Sequence, residues 1–388
     1  MPRFSLPLVM IALVGLAGCQ AARLNPPQDA AILADRDVVV DETELVVVTP
    51  SAAEARSLMV RASAIGYELI ASDELEGMGL TMLTVRIPRG QDGASAIREL
   101  EGLEPGVTAG VNHAYTAQQG SRSAAARSPR EYAPSLLAWP QVGCRAQVSI
   151  GVLDSKLVGP ARLSVTTADF SRSSKSERSL HGTHVVTLLR SSGMLTGARL
   201  FHADVVSPNA KAGDAASVDS LLRGLNWMLE NKVGVVNISL AGPYNKILDR
   251  AFTNAERRGI IIVAPAGNAG PSAEVRYPAA FRSTIAVTAV DADAKIFRDA
   301  VRGERIDFSA PGVDVAIRMP QRSTYVSGTS FAAPFVTARI AADPGLNRAS
   351  AASRVREYLA RHVRDLGMMG HDRTYGHGLI QAPPSCET

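Results

Sequence analysis

The chain has 388 residues, enough for two domains with connecting segments, and its 46% hydrophobic and 20% charged residues are ordinary globular usage. That excludes a fibrous, repetitive or wholly disordered chain. A net charge of +4 conceals an asymmetry: residues 20–118 hold 7 Lys/Arg and 15 Asp/Glu, a net of −8, whereas residues 119–388 hold 33 and 22, a net of +11. A basic half suits nucleic acid, but the basic stretch SRSSKSER (171–178) has no interleaved aromatic residues, which argues against it. Two oppositely charged halves of one chain also attract each other.

In chain order, one Arg precedes an apolar run from Phe4 to Ala17, too short to span a bilayer comfortably. Residues 1–18 fit a signal peptide and are set aside from the fold. The run ends in Leu16-Ala17-Gly18-Cys19, which resembles the lipobox of bacterial lipoproteins. The resemblance implies lipidation of Cys19 and attachment to a membrane of the bacterial cell envelope. Gln20, not being aspartate, points to the outer membrane. Residues 19–42 are a mostly polar tether with a Pro-Pro step.

Residues 43–115 then alternate in character. ELVVVT (44–49) predicts a strand, and 51–66 predicts a helix capped by Ser51 and stopped by Gly66. Strands follow over 67–75 and 80–88, a helix capped by Asp92 over 92–102, and a strand over 107–115. The order β-α-β-β-α-β fits a small ferredoxin-like α+β sandwich. Residues 116–135, rich in Ser, Ala and Arg, read as an exposed linker open to proteolysis.

Beyond Ala146, apolar strands (148–154, 198–206, 233–240, 259–267, 284–290) alternate with helical stretches near 181–190, 217–231, 245–258 and 330–342. This predicts an α/β domain over 136–388 with a parallel sheet covered on both faces. In such sheets, chemistry gathers at the carboxyl ends of strands. Four places there carry it: Asp154 in GVLDSK, His181 in HGTHV, Asn268 in APAGNAGP and Ser330 in SGTSFAAP. A Ser hydroxyl is a weak nucleophile that needs a base. A His supplies the base, and a buried carboxylate orients it. An Asn amide and the Ser330 backbone N–H can together stabilise an oxyanion.

The order Asp154, His181, Asn268, Ser330, with spacings of 27, 87 and 62 residues, resembles the subtilisin-like serine proteases (subtilases). HGTHV, AGNAGP and GTSFAAP carry the resemblance, with lesser matches in NISLAGP, DFSAPG and YGHGLIQA, over residues 136–385. It implies an endopeptidase acting on protein or peptide substrates through an acyl-enzyme, with no cofactor required. It further implies that Ser239, Leu240, Ala241 and Gly242 pair with an extended substrate, and that Ala264, Pro265, Ala266 and Gly267 border the pocket before the scissile bond. Residues 43–115 resemble the propeptide of this family, an intramolecular chaperone and inhibitor, so self-cleavage is expected within about 116–130. The lipid would then sit on the propeptide side of the cut. Charge attraction between the halves is the expected means of retaining the catalytic part, which is otherwise released.

Lys156 departs from the family, where Gly is usual two residues after the aspartate. It implies an altered loop and a cation beside Asp154, and it is the support for an alternative, a degenerate subtilase that serves as a binding or scaffold protein. His184 shares a helix face with His181 and is expected to support structure. Cys144 and Cys386 can pair across a long loop or remain free thiols. His371, Asp372 and His377, and the stretch DADAK (291–295), read as turns. Subtilases often bind calcium, but no loop shows a recognisable ligand set and no metal site is expected.

Overall fold

The computed structural model describes residues 39–117, 131–162, 164–173, 179–209, 213–318, 323–346 and 351–386. The signal peptide, Cys19, most of the tether and most of the 116–135 linker lie outside these residues.

The N-terminal unit contains β1 (Glu44–Thr49), α1 (Ala52–Ala64), β2 (Glu68–Leu75), β3 (Leu80–Arg86), α2 (Gly93–Leu103) and β4 (Thr108–Val111). The Ser51 and Asp92 side chains cap α1 and α2 by accepting N–H groups three residues on. The antiparallel sheet has the order β2-β3-β1-β4. β1 is a continuous apolar run because both of its faces are buried. Leu45 and Val47 pack under the two helices, while Val46 and Val48 join a second core shared with the rest of the molecule.

The expected last strand of this unit is two strands. β4 ends at Val111, and after Asn112 and His113 the chain re-forms as β5 (Ala114–Ala117) in a different sheet. Asn112 explains the break. Its side chain donates to Asp219 Oδ1 and accepts the backbone N–H of Val218, both 106 or more residues away.

The larger unit is built on β6 (Ile150–Asp154), β7 (Val165–Asp169), α3 (His181–Ser191), β8 (Leu200–Asp204), β9 (Gly213–Ser217), α4 (Val218–Glu230), β10 (Val235–Ile238), β11 (Leu240–Ala241), α5 (Lys246–Arg257), β12 (Ile261–Pro265), β13 (Thr284–Val290), β14 (Phe308–Pro311), α6 (Thr329–Ala342), β15 (Val363–Arg364) and β16 (Leu379–Ile380). Nine strands form one sheet in the order β15-β16-β14-β13-β12-β10-β6-β8-β7. It is parallel except for the β15–β16 edge pair. The four strands 165–169, 308–311, 363–364 and 379–380 went unpredicted because they are short or, like VTTAD, partly exposed at an edge. Helix α6 is buried along its whole length, as its apolar sequence demands. Cys144 and Cys386 are joined by a disulfide, with Cα atoms 5.4 Å apart, tying the start of this unit to its end.

Candidate active site

Asp154 ends β6 at the sheet's carboxyl edge and is fully buried. The Ser155 N–H donates to its Oδ1 at 2.7 Å. His181 opens α3, and its Nδ1 lies 2.9 Å from each Asp154 oxygen. That contact assigns the proton to Nδ1 and leaves Nε2 as an acceptor. Nε2 is buried and has no hydrogen-bond partner among the described residues. The helix can come this close only because the next residue is Gly182. A Cβ there would lie 2.2 Å from the Ser155 carbonyl oxygen.

Ser330 is the second residue of α6, and Phe331 beside it packs 5.3 Å from the His181 ring. Ser330 therefore sits at a helix N-terminus on the side of α6 that meets His181. Pro334 lies four residues further on and lacks an N–H, so the Ser330 carbonyl loses its helical donor. Ser239 replaces it, donating from Oγ at 3.1 Å. Ser239 accepts from Asn237 Nδ2 at 2.9 Å, and Asn237 Oδ1 accepts from Thr337 Oγ1 at 3.3 Å. This buried rail ties the Ser330 backbone to β10 and back to α6.

Asn268 is held by a residue that the sequence reading passed over. Its Oδ1 accepts from both the N–H and the hydroxyl of Thr329, each at 2.9 Å. Thr329 in turn accepts from the Gly267 N–H at 3.2 Å. With Oδ1 committed, the planar amide presents Nδ2 on its other side as the donor. Gly267 has φ +115°, a conformation open to glycine, and so completes the bend after Ala264, Pro265 and Ala266, which are buried at the end of β12. The middle residue of the Gly-Thr-Ser motif is thus the clue to how Asn268 is fixed.

The strand containing Leu240 and Ala241 is paired. β5 runs antiparallel to it, with Thr116 opposite Ala241 and Ala117 opposite Leu240. On its other side β5 pairs with β9 through Ala114, Tyr115 and Thr116. The chain direction of β5 leads toward Ser239 and Ser330. Tyr115 is fully buried against Gly242, and its hydroxyl donates to the Pro243 carbonyl at 2.7 Å.

Lys156 does not turn toward Asp154. Its ammonium lies 3.7 Å from Asp169, both side chains are about half exposed, and its φ is not positive. His184 lies one turn beyond His181 and packs 6.4 Å from Phe331. Asp372 is buried and not solvated: its carboxylate accepts the N–H groups of Met368, Thr374 and Tyr375. His371 binds the Ile306 carbonyl and meets the ring of His377 edge-on, and burial pushes the pKa of His377 down. Asp291 holds its turn by accepting the Asp293 and Lys295 N–H groups. Among the described residues no group of three or more Asp, Glu, His or Cys side chains is placed to hold a metal ion.

Residues 146–378 match the model of the subtilase family. The chain is 30% identical over 263 residues to the minor extracellular protease Epr of Bacillus subtilis, covering 63% of this chain and 39% of Epr. It is 33% identical over 212 residues to subtilisin Savinase of Lederbergia lenta, covering 52% of this chain and 76% of that protein. Among solved structures, fervidolysin from Fervidobacterium pennivorans, a keratinolytic enzyme related to subtilisin, superposes with a TM-score of 0.69 at 17% identity. That match covers 88% of this chain and 60% of fervidolysin, so it speaks to the fold.

Proposed function

Because the chain belongs to the subtilase family of serine endopeptidases, we propose that it hydrolyses peptide bonds through Asp154, His181 and Ser330, beginning with its own chain in the segment that follows Ala117. The observation that carries this is β5. A stretch of the chain itself lies as an added strand beside Leu240–Ala241, directed at the nucleophile. Strand addition is how an extended peptide is held by backbone bonds while one peptide bond is offered for attack.

In this reading His181 Nε2 takes the Ser330 proton as Oγ attacks the carbonyl carbon. Asp154, on the far side of the ring, stabilises the imidazolium. Asn268 Nδ2 and the Ser330 N–H receive the oxyanion, aided by the positive end of α6. The tetrahedral adduct collapses with proton return to the leaving amine, and water then releases the acid. Residues 43–115 serve as chaperone and inhibitor until the cut, residues 1–18 direct export, and the Leu16–Cys19 motif directs lipidation of Cys19 at the envelope.

The test compares wild type, Ser330→Ala and Cys19→Ser in a bacterial host. Wild type is expected to yield a processed fragment and to label with a fluorophosphonate. Ser330→Ala should remain full length and unlabelled, and Cys19→Ser should leave the membrane fraction. Identical full-length, unlabelled wild type and Ser330→Ala chains would sink the peptidase reading.

A further inference from the structure

Two buried ionisable groups that the steps above do not use, Asp204 and His202, lie on the strand next to Asp154. Asp154, Asp204 and Asp169 end three neighbouring parallel strands. They are in register, with Asp204 opposite Asp154 on one side and Asp169 on the other. In-register residues of a parallel sheet point to one face, with backbones about 4.8 Å apart. Three carboxylates therefore form a row at the catalytic edge. Asp204 is 5% exposed, and its Oδ1 has no hydrogen-bond partner among the described residues. His202, two residues earlier on the same face, is buried, and neither ring nitrogen meets hydrogen-bond geometry with a partner among the described residues. Lys156 brings a cation to the row through Asp169.

We propose that Asp204 is a positioning residue for the Asp154–His181 pair, acting through Asp154, with Lys156 and Asp169 setting the charge it carries. The inference rests on the peptidase reading. A buried carboxylate with one oxygen unpaired resists ionisation, and like charges beside it add to that resistance. Burial first, then Asp169 and Asp154, push Asp204 up to about 7, against the Val206 N–H and Lys156. The groups that face it are Asp154 from β6, Lys156 from the turn after it, Asp169 from β7 and His202 from its own strand. His202 stays neutral, because burial brings it down to about 4 although Asp154 pulls the other way. Asp204 thus exchanges its proton in the range where a histidine base must be free of its own. Once ionised, it is a second anion next to the carboxylate that braces the imidazolium, and it holds a proton on the pair more firmly. Protons on such neighbours leave in coupled steps.

The test is the pH profile of kcat/KM for a soluble peptide, using full-length chains allowed to process themselves. Asp204→Asn is expected to move the acid limb to lower pH by about half a unit and to sharpen it to one proton, with KM unchanged on the plateau. Lys156→Gln removes a cation that favours the ionised Asp204, so through Asp204 it should move the limb the same way by a smaller amount, and that component should vanish once Asp204 is already Asn. An Asp204→Asn limb that superimposes on wild type overturns the proposal, as does a Lys156→Gln shift equal in both backgrounds. If Asp204→Asn yields no folded protein, Lys156→Gln decides alone, and a superimposable limb overturns it. A wild type that cleaves nothing instead overturns the peptidase reading, and this inference with it.

Discussion

The N-terminal unit meets the rest of the molecule in two unlike places. On α4 and α5 it rests on a platform recognised by side chains. Val46, Val48, Leu75, Met78, Leu80 and Met82 share one core with Leu225, Met228, Leu229 and Phe252. The Met78 backbone is gripped at both ends, its N–H by Asn226 Oδ1 and its carbonyl by Asn254 Nδ2. In the cleft, by contrast, β5 is held by backbone pairing on both edges, with Tyr115 as its one deeply seated ring. Side-chain packing binds one sequence firmly, whereas backbone pairing accepts many. The platform therefore suits permanent attachment, and the cleft suits a segment that is exchanged for others.

The sharpest way to break this contrast is Gly242→Val. A Cβ at Gly242 would come within 2.5 Å of the Tyr115 ring, and the fully buried ring has no room to retreat. The expected result is self-processing slowed by ~100-fold, the scale of an ångström-sized misplacement near the chemistry, with the platform intact. A pulse–chase of full-length chain checks it, and processing at the wild-type rate would deny β5 the role of substrate strand.

Met78→Ala comes next. Removing a fully buried Met from the platform core should cost about 2–4 kcal/mol of stability. The expected signature is a lower denaturation midpoint and faster loss of the N-terminal unit after processing, with a smaller fall in processing rate than Gly242→Val causes. If Met78→Ala slows processing as severely as Gly242→Val, the two contacts are one cooperative surface and the contrast fails.

The sequence told much about the carboxyl edge of the sheet and little about this division. Asp154, His181, Asn268 and Ser330 are readable because each sits where an apolar strand yields to a loop or helix, and their chemistry needs those residue types. The supporting atoms are less legible. Thr329 and Ser239 act through partners 61 and 91 residues away, and nothing local marks them. The break between β4 and β5 was invisible for the same reason, since VTAGVNHAY reads as one strand until Asn112 meets α4. Lys156 was misjudged because sequence places it beside Asp154, whereas only the strand order β6-β8-β7 brings Asp169 within its reach.

Charge is expected to be the smallest term in holding the platform, even though the two halves carry −8 and +11. The partly exposed pairs Arg223–Asp73 and Lys246–Glu101 are worth about 0.2–1 kcal/mol each and are screened by salt. The exception involves a buried carboxylate. Arg172, from the basic stretch before His181, bridges Glu44 of the N-terminal unit and Asp219 of α4. Burial would raise the Asp219 carboxyl, but Arg172, Ser217, Asn112 and Arg223 outweigh it and hold its pKa below the usual carboxylate range. A carboxyl lowered by folding stabilises above its unfolded value, about 3.9, and loses that contribution as pH falls through the folded one. The processed complex is therefore expected to stay together in molar salt at neutral pH and to loosen only below about pH 4. Size-exclusion chromatography of the processed protein distinguishes the two: separation by salt at neutral pH would make charge, not packing, the main bond between the units.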